Sequence, residues 1–260
     1  MSIIKKILRV LLCIVLGLAA LVGIVIAVFA PANVEAMNES VQVFCDTVNE
    51  YFPLTEVDCG EYSSLKLFGI MKFNVKQYTA AGIGNLAVMT TNLGVMQMAT
   101  VVLTPVDRDL PLISMDYMYM LGNRTAYVEF FDLMLDQDDN YAALQQELGA
   151  VYEQYAELET VTPSSAWYDA LMTVGFHKKG GKADDEALIE MLENGLRTAM
   201  NYAQMLPELD TDAHAKKAAL QKTYSDGLIE NGGVSTDMFV KAMGAEGTRT
   251  FFDRVLFKAE

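Results

Sequence analysis

The stretch from Gln221 to Phe257, QKTYSDGLIENGGVSTDMFVKAMGAEGTRTFFDRVLF, carries the most specific pattern of this chain. Its aromatic and turn residues follow an order that is more specific than a simple helical alternation of apolar and polar positions. Tyr224 lies in a first helical run, Asn231 marks a turn, and the stretch closes in Val255-Leu256-Phe257. This pattern predicts helices that are separated by turns.

Strand-forming segments lie upstream of this stretch. They are rich in β-branched and aromatic residues and are bounded by Gly, Pro or Asn, which is typical of strands joined by turns. These segments are 64–73, 77–81, 84–91, 94–103, 112–120 and 125–133. Their short connections predict antiparallel neighbours.

Helical spacing of apolar residues predicts further helices before and after the strands. They cover 41–52, 140–158 and 184–206, whereas 167–176 fits a helix or a strand. A sheet flanked by helices predicts an α+β fold, a three-layer α/β/α sandwich with a central antiparallel sheet. We expect one domain over 41–260, preceded by a polar tether over 31–40, a transmembrane helix over 10–30 and a cytoplasmic N-terminus over 1–9.

The N-terminal segment is long and apolar enough to cross a membrane. From Val10 to Ala30 the sequence holds no charged residue, and a helix over this run is about 31 Å long, close to the hydrocarbon thickness of a bilayer. The alternative is a cleavable secretory signal, with Lys5, Lys6 and Arg9 as its basic end and a cleavage triplet at 34–36. The apolar run is longer than that of a typical signal peptide, which favours an uncleaved anchor.

Charge is distributed unevenly along the chain. Residues 1–30 carry a net charge of +3, and residues 31–260 carry a net charge of −18. Because short basic segments stay in the cytoplasm, this asymmetry predicts a single-pass membrane protein with an extracytoplasmic domain. We expect no nucleic acid and no anionic lipid partner, since both require clustered cations.

Cysteines and histidines are few. Cys45 and Cys59 form a disulfide in an extracytoplasmic domain, or else they are two free thiols. No cysteine pair has the spacing of metal ligands, and His177 and His214 are the only imidazoles. We therefore expect no metal site and no histidine-based catalytic triad.

Two acidic residues are the candidate catalytic groups. A turn at Gly122-Asn123 pairs Leu121 with Arg124 and therefore places Asp116 opposite Glu129. Directly opposite side chains stand about 5 Å apart, where two like charges repel by about 3 kcal/mol at an effective dielectric of about 20. This repulsion amounts to roughly two pK units, and it predicts that one carboxyl keeps its proton well above its normal pKa.

The order of these features resembles the ferredoxin-dependent bilin reductase family over roughly 44–257. The closing helices of that family hold a Gln and a Tyr, an Asn-containing turn, a Thr, a Phe-Gly-Glu helix end and a final Val-Leu-Phe. The matching positions here are Gln221, Tyr224, Asn231, Thr236, Met243-Gly244-Ala245-Glu246 and Val255-Leu256-Phe257. Upstream, Pro111 and Asp116 resemble the family's Pro…Asp strand, and Asp132-Leu133 resembles its Asp-Leu partner strand.

The resemblance implies that a linear tetrapyrrole binds between the sheet and the C-terminal helices. It also implies reduction of a pigment double bond with electrons from an external ferredoxin-type protein and with no bound flavin or metal. Asp116 occupies the place of the family's proton-donating Asp, and we expect Glu129 to tune its pKa. Where the branch that makes phycocyanobilin has a His and a Glu, this chain has Thr100 and Asn85, and neither transfers protons near neutral pH.

We expect Asn85 and Thr100 to line the binding site of the pigment. Arg124, Arg249 and Arg254 are candidates for binding its propionates, since a guanidinium matches a carboxylate in a bidentate manner. The predicted function is that of a bilin-reductase-like oxidoreductase. The alternative is a non-catalytic tetrapyrrole-binding or carrier module at the cell surface, which the missing His and Glu, the outward topology and the acidity favour.

Overall fold

A long N-terminal helix opens the structure. The computed structural model describes residues 3–233 and 235–258, and the side chains of 11–233 and 235–258. Helix α1 runs without interruption over Ile3–Tyr51 and contains Pro31. It includes the helix predicted over 41–52 up to Tyr51. The polar tether predicted over 31–40 is wrong, because these residues are helical.

Packing explains why α1 continues past Pro31. A proline in a helix interior removes one hydrogen bond and crowds the preceding turn. Asn33, Ala36 and Ser40 follow it at helical spacing, and all three are buried. Tyr119 Oη also donates a hydrogen bond to the carbonyl of Ala36 at 3.1 Å. These tertiary contacts stabilise a helical turn that the local sequence disfavours.

The first part of α1 stands clear of the domain. Side chains from Leu11 to Ile24 are exposed. This helix is long and apolar enough to cross a membrane, and the most apolar window of its described part has a mean hydropathy of 3.1. None of that window is buried in the protein. This first part of α1 is therefore not in the core of the domain.

A nine-stranded antiparallel sheet forms the middle layer of the described residues. Its strands are β1 (Leu54–Val57), β2 (Ser64–Leu67), β3 (Met71–Ala80), β4 (Gly84–Asn92), β5 (Met96–Pro105), β6 (Leu112–Met120), β7 (Asn123–Phe131), β8 (Glu159–Thr160) and β9 (Met172–Gly181). Their order is β1-β3-β4-β5-β6-β7-β9-β8, and β2 pairs with β3. The strand predicted over 64–73 is divided by a turn at 68–70, and the ambiguous segment 167–176 runs into β9.

Helices cover both faces of the sheet, as predicted. The first layer holds α1, α2 (Asp139–Gln154) and α3 (Asp185–Met205), and the second holds α4 (Thr211–Glu230), α5 (Thr236–Phe251) and a π-helical turn (Phe252–Leu256). Successive residues along a strand point alternately to the first and to the second helical layer. Tyr117 Oη donates to the Leu188 carbonyl on α3 at 2.8 Å, whereas the Phe131 ring lies 5.2 Å from the Tyr224 ring on α4. The predicted three-layer α/β/α sandwich is confirmed.

Candidate functional site

The β6–β7 hairpin carries the two acidic residues that the sequence singled out. Its turn residues are Leu121 and Gly122, so Met120 pairs with Asn123. The turn predicted at Gly122-Asn123 is therefore wrong. Leu121 adopts a left-handed backbone with a φ of 55°, and its N–H donates to the Val95 carbonyl of the neighbouring turn at 3.1 Å. The hydrogen bond to Val95 joins the turn at Leu121-Gly122 to another hairpin. Local residue preferences did not indicate a turn at this position.

The observed register places the two acids diagonally on the sheet. Asp116 lies opposite Tyr127, and Glu129 lies opposite Ser114. The predicted direct pairing of Asp116 with Glu129 is wrong. The observed register differs from the predicted one by two residues, and side chains alternate with a period of two. Both acids therefore still point to one face of the sheet, the face that α4 and α5 cover.

Asp116 is held by two hydroxyl groups. Thr100 lies directly opposite it on β5 and donates from Oγ1 to Asp116 Oδ1 at 2.5 Å. Ser114 Oγ donates to the other carboxylate oxygen at 3.3 Å. Burial raises the pKa of Asp116 to about 6, the charge of Glu129 adds to this increase, and the two hydroxyl donors oppose it. Burial, and not repulsion by Glu129 as predicted, is the largest cause of the shift.

A histidine extends the site on the neighbouring strand. His177 on β9 lies opposite Tyr127, and its Nε2 is 2.9 Å from Glu129 Oε1. The Tyr127 and His177 rings meet edge to face with centroids 5.1 Å apart. When Glu129 is ionised, the Nε2–H group of His177 is the donor. The hydrogen bond between the two side chains then holds the imidazole proton against the carboxylate.

Gly175 makes room for this pair. It lies opposite Glu129 on β9. A Cβ atom at this position would lie 2.8 Å from His177 Nε2 and 2.9 Å from Met172 Sδ. Any larger residue would displace the imidazole, so Gly175 is a positioning residue for the hydrogen bond between His177 and Glu129.

Sequence reasoning missed Ser114, Tyr127 and His177. Strand alternation was an available signal for the first two, since Tyr127 lies two residues from Glu129 and Ser114 two residues from Asp116 on the same face. A histidine at the site was not expected. Glu129 and His177 are 48 residues apart in the chain, and no local pattern indicates that their strands pair.

Aromatic side chains cover the acids from the helical layer. The Tyr224 ring on α4 lies 5.2 Å from the Phe131 ring, 6.0 Å from the Trp167 ring and 5.9 Å from the Phe257 ring. Burial, followed by the negative charge of Glu129, raises the pKa of Tyr224 well above its ordinary value. Tyr224 is therefore a neutral phenol within the electrostatic reach of the two acids.

Asn85 lies on the same face, but its side chain already forms hydrogen bonds within the protein. Its Nδ2 donates to the Val255 carbonyl at 2.9 Å, and its Oδ1 accepts from Gln77 Nε2 at 2.7 Å. It fastens the π-helical turn to the sheet. Its partner on β5 is Thr104, four residues beyond the partner of Asp116, which corresponds to about 13 Å along the strand.

Arg124 lies on the opposite face of the sheet from Asp116. Its guanidinium donates to both carboxylate oxygens of Asp185 at 2.5 and 3.0 Å and to Asn33 Oδ1 at 2.8 Å. The side chain is 2% exposed. Arg124 therefore joins β7 to α1 and α3, and its predicted role as a propionate ligand does not fit this position.

Arg249 and Arg254 belong to the helical layer that covers the acids. Arg249 pairs with Asp226 and lies 3.7 Å from a carboxylate oxygen of Glu230. Arg254 is exposed and lines a cavity of about 270 Å³ near the outer strands. Within the described residues, neither forms a hydrogen bond or an ion pair with Asp116 or Glu129. The structure therefore brings together Asp116, Glu129 and Thr100 of the predicted site.

Comparison with known proteins supports the fold. No family model and no curated protein matches the chain. Among solved structures, phytochromobilin synthase from tomato in complex with biliverdin matches with a TM-score of 0.68 over 84% of this chain and 82% of that chain. That protein is a ferredoxin-dependent bilin reductase, so the predicted resemblance in fold is confirmed. The sequence identity is 12%, and at this level the likeness shows the fold alone.

Proposed function

We propose that this chain binds a linear tetrapyrrole between its sheet and its C-terminal helices and reduces one double bond of the pigment. The observation that carries the proposal is the position of Asp116. Its carboxyl lies on the sheet face beneath α4, and its pKa is raised to about 6. The tomato protein of the same fold is in complex with biliverdin, which supports a pigment of this class as the ligand.

The chemistry follows from the groups that share this face. Reduction of one double bond consumes two electrons and two protons. The electrons come from an external ferredoxin-type protein, with no bound flavin or metal. Asp116 in its acid form donates a proton to the pigment, which is the task of a general acid whose pKa is near the working pH. The Glu129–His177 pair then returns a proton to Asp116, which donates the second proton to the pigment, and solvent reprotonates the pair. Tyr224 packs against the pigment rings.

A non-catalytic carrier is the second candidate, and the hydrogen bonds of two residues favour it. Asn85 is occupied by Val255 and Gln77, and Thr100 is occupied by Asp116. Neither side chain transfers protons near neutral pH. A chain that holds the pigment without reducing it would need no further proton donor.

Addition of biliverdin to the full chain in detergent tests both candidates. We expect the visible spectrum of the pigment to shift on mixing, because the aromatic layer replaces water around its rings. We then expect its absorbance to be lost when reduced ferredoxin is added without oxygen. A shift with no later change would support the carrier. An unshifted spectrum at every protein concentration would contradict both candidates.

We also propose that α1 anchors the chain as a single-pass membrane protein with an extracytoplasmic domain, from the charge asymmetry of the sequence. Met205 is 74% exposed at the end of α3. We expect Met205→Cys to react with an impermeant maleimide in intact cells. The unsubstituted chain is the control, since its free Cys59 is buried, its free Cys45 is partly buried and its exposed Cys13 lies in the apolar run proposed to span the membrane. Reaction after lysis alone would place the domain in the cytoplasm.

A further inference from the structure

Three hairpin turns lie together at the same ends of their strands, and they form one edge of the sheet. They are the β2–β3 turn at 68–70, the β4–β5 turn at 93–95 and the β6–β7 turn at 121–122. Met96 at the start of β5 pairs with Met120 at the end of β6, and the start of β3 pairs with the end of β4. The hydrogen bond from Leu121 N–H to the Val95 carbonyl joins two of the turns directly.

This edge holds most of the large apolar side chains that the described part of the domain exposes. Outside α1, the exposed large apolar side chains of residues 11–233 and 235–258 are Phe68, Ile70, Val95, Met120, Leu121, Trp167 and Met205. All of them except Trp167 and Met205 lie in or beside the three turns, and we call this set the apolar edge. Ile70 is the most exposed of the set, at 81%. Clustered exposed apolar side chains mark a contact surface.

Backbone conformation supports a role for these side chains. Phe68 has a φ of 51° and Leu121 a φ of 55°. Bulky residues rarely adopt this left-handed conformation, and turns that require it usually hold Gly or Asn. The sequence nevertheless places large apolar groups there, at the tips of two hairpins.

Helix α1 leaves the domain at the same edge. A Cβ atom at Gly94 would lie 3.0 Å from Ile26 Cδ1, and a Cβ atom at Gly122 would lie 3.5 Å from Phe29 Cε1. Both contacts fall inside the uncharged run that ends at Ala30. Ile26 is four residues from that end, which is about 6 Å along a helix. The turns therefore lie at the level of the last apolar residues of α1.

We infer that the apolar edge inserts into the boundary of the bilayer that α1 spans. The inference rests on the proposed anchoring by α1 and is independent of any pigment. A depth of about 6 Å agrees with the 5–10 Å to which interfacial apolar groups enter a bilayer. The contact needs no anionic lipid, which suits an acidic domain. Lys66 and Lys72 are exposed and pair across the β2–β3 hairpin beside the turn, where they meet headgroup phosphates.

Tryptophan fluorescence of the full chain in phosphatidylcholine vesicles tests the inference. The vesicles contain lipids brominated near the headgroup end of the acyl chains, which quench indoles that enter the bilayer. Ile70→Trp and Val95→Trp place a probe on the apolar edge. Met205→Trp is the matched control, because Met205 is exposed and apolar but lies far from the apolar edge. Its neighbour Leu206 accepts a hydrogen bond from Arg108, which follows the opposite end of β5. Trp167 is the chain's single native tryptophan and gives a common background.

We expect Ile70→Trp and Val95→Trp to lose most of their added emission in brominated vesicles, and Met205→Trp to lose none of it. Equal quenching of all three variants would overturn the inference, as would a blue shift without quenching, which indicates that a second copy of the chain covers the edge. Val15→Trp in the exposed part of α1 separates the two proposals. Quenching of Val15→Trp alone overturns the inference and leaves the anchor, whereas an unquenched Val15→Trp overturns the anchor. Circular dichroism verifies that each variant folds.

Discussion

Replacement of Asp116 by asparagine is expected to leave biliverdin binding intact and to slow its reduction about 100-fold or more, since general acids contribute about 10²–10⁴-fold. Asparagine has the shape of aspartate and can accept the hydrogen bond from Thr100, which is 2.5 Å long in the structure. It has no acidic proton to donate. The measurement is the rate of loss of bound biliverdin absorbance after mixing with reduced ferredoxin in the absence of oxygen.

Asp136→Asn is the matched control for this substitution, because Asp136 is an exposed acid on the loop after β7. It removes the same charge without touching the proposed site, and we expect unchanged binding and reduction. If Asp116→Asn reduces the pigment as fast as Asp136→Asn does, Asp116 is not the proton donor. If Asp116→Asn no longer shifts the pigment spectrum, the residue serves binding instead.

The same pair of proteins reports the pKa of Asp116 through stability. The folded pKa of about 6 exceeds the value of about 3.9 for an unfolded aspartate, so the folded state binds more protons between these two values. The stabilisation from the protonated carboxyl is therefore complete below pH 4 and is lost as the pH rises through 6. We expect the unsubstituted chain to lose about 2 kcal/mol relative to Asp116→Asn over this window. Parallel urea titrations measure the difference.

Replacement of Lys217 by alanine is expected to destabilise the fold by about 3–5 kcal/mol. Lys217 on α4 is fully buried. Its Nζ donates to Asp109 Oδ1 and to the Leu110 carbonyl, both at 2.8 Å, and also to the Leu133 carbonyl. Alanine would leave these acceptors buried without their cation. Thermal unfolding followed by circular dichroism would show a decrease of about 10 °C in Tm.

Lys216→Ala is the control for Lys217→Ala, since Lys216 is the exposed neighbour on the same helix. It removes an identical side chain and charge, and surface changes of this kind alter stability by about 0.5 kcal/mol or less. Equal Tm values for the two variants would contradict the account of Lys217. Because Lys217 fixes α4, we also expect Lys217→Ala to weaken the spectral shift of biliverdin, through the displacement of Tyr224 from above the acids.

The elements with strong periodic patterns were predictable from the sequence. Strand β6 has its predicted bounds, Leu112–Met120, and the helix predicted over 184–206 is α3, Asp185–Met205. Alternation along a strand depends on the backbone alone, so it also places Asp116 and Glu129 on one face in either register. The same alternation indicates that Arg124, an odd number of residues from Glu129, faces the other way. The prediction of a propionate ligand at Arg124 did not use this signal.

Features that depend on contacts between distant residues were not predictable. The helical course of α1 through Pro31 depends on the burial of Asn33 and Ser40. The turn at Leu121-Gly122 is joined to Val95 on another hairpin. Burial in the tertiary structure, and not the charge of a neighbouring acid, is the main cause of the raised pKa of Asp116.

The layers of the sandwich, the apolar N-terminal helix and the shared face of the two acids were predictable from local patterns, because each follows from the repeat of side chains along one element. The surroundings of those acids depend on the tertiary structure. It placed His177 beside Glu129 and α4 above Asp116, and it assigned Arg124 to the opposite layer. These are pairings between elements far apart in the chain, and the local preferences of either partner carry no information about which strands and helices will meet.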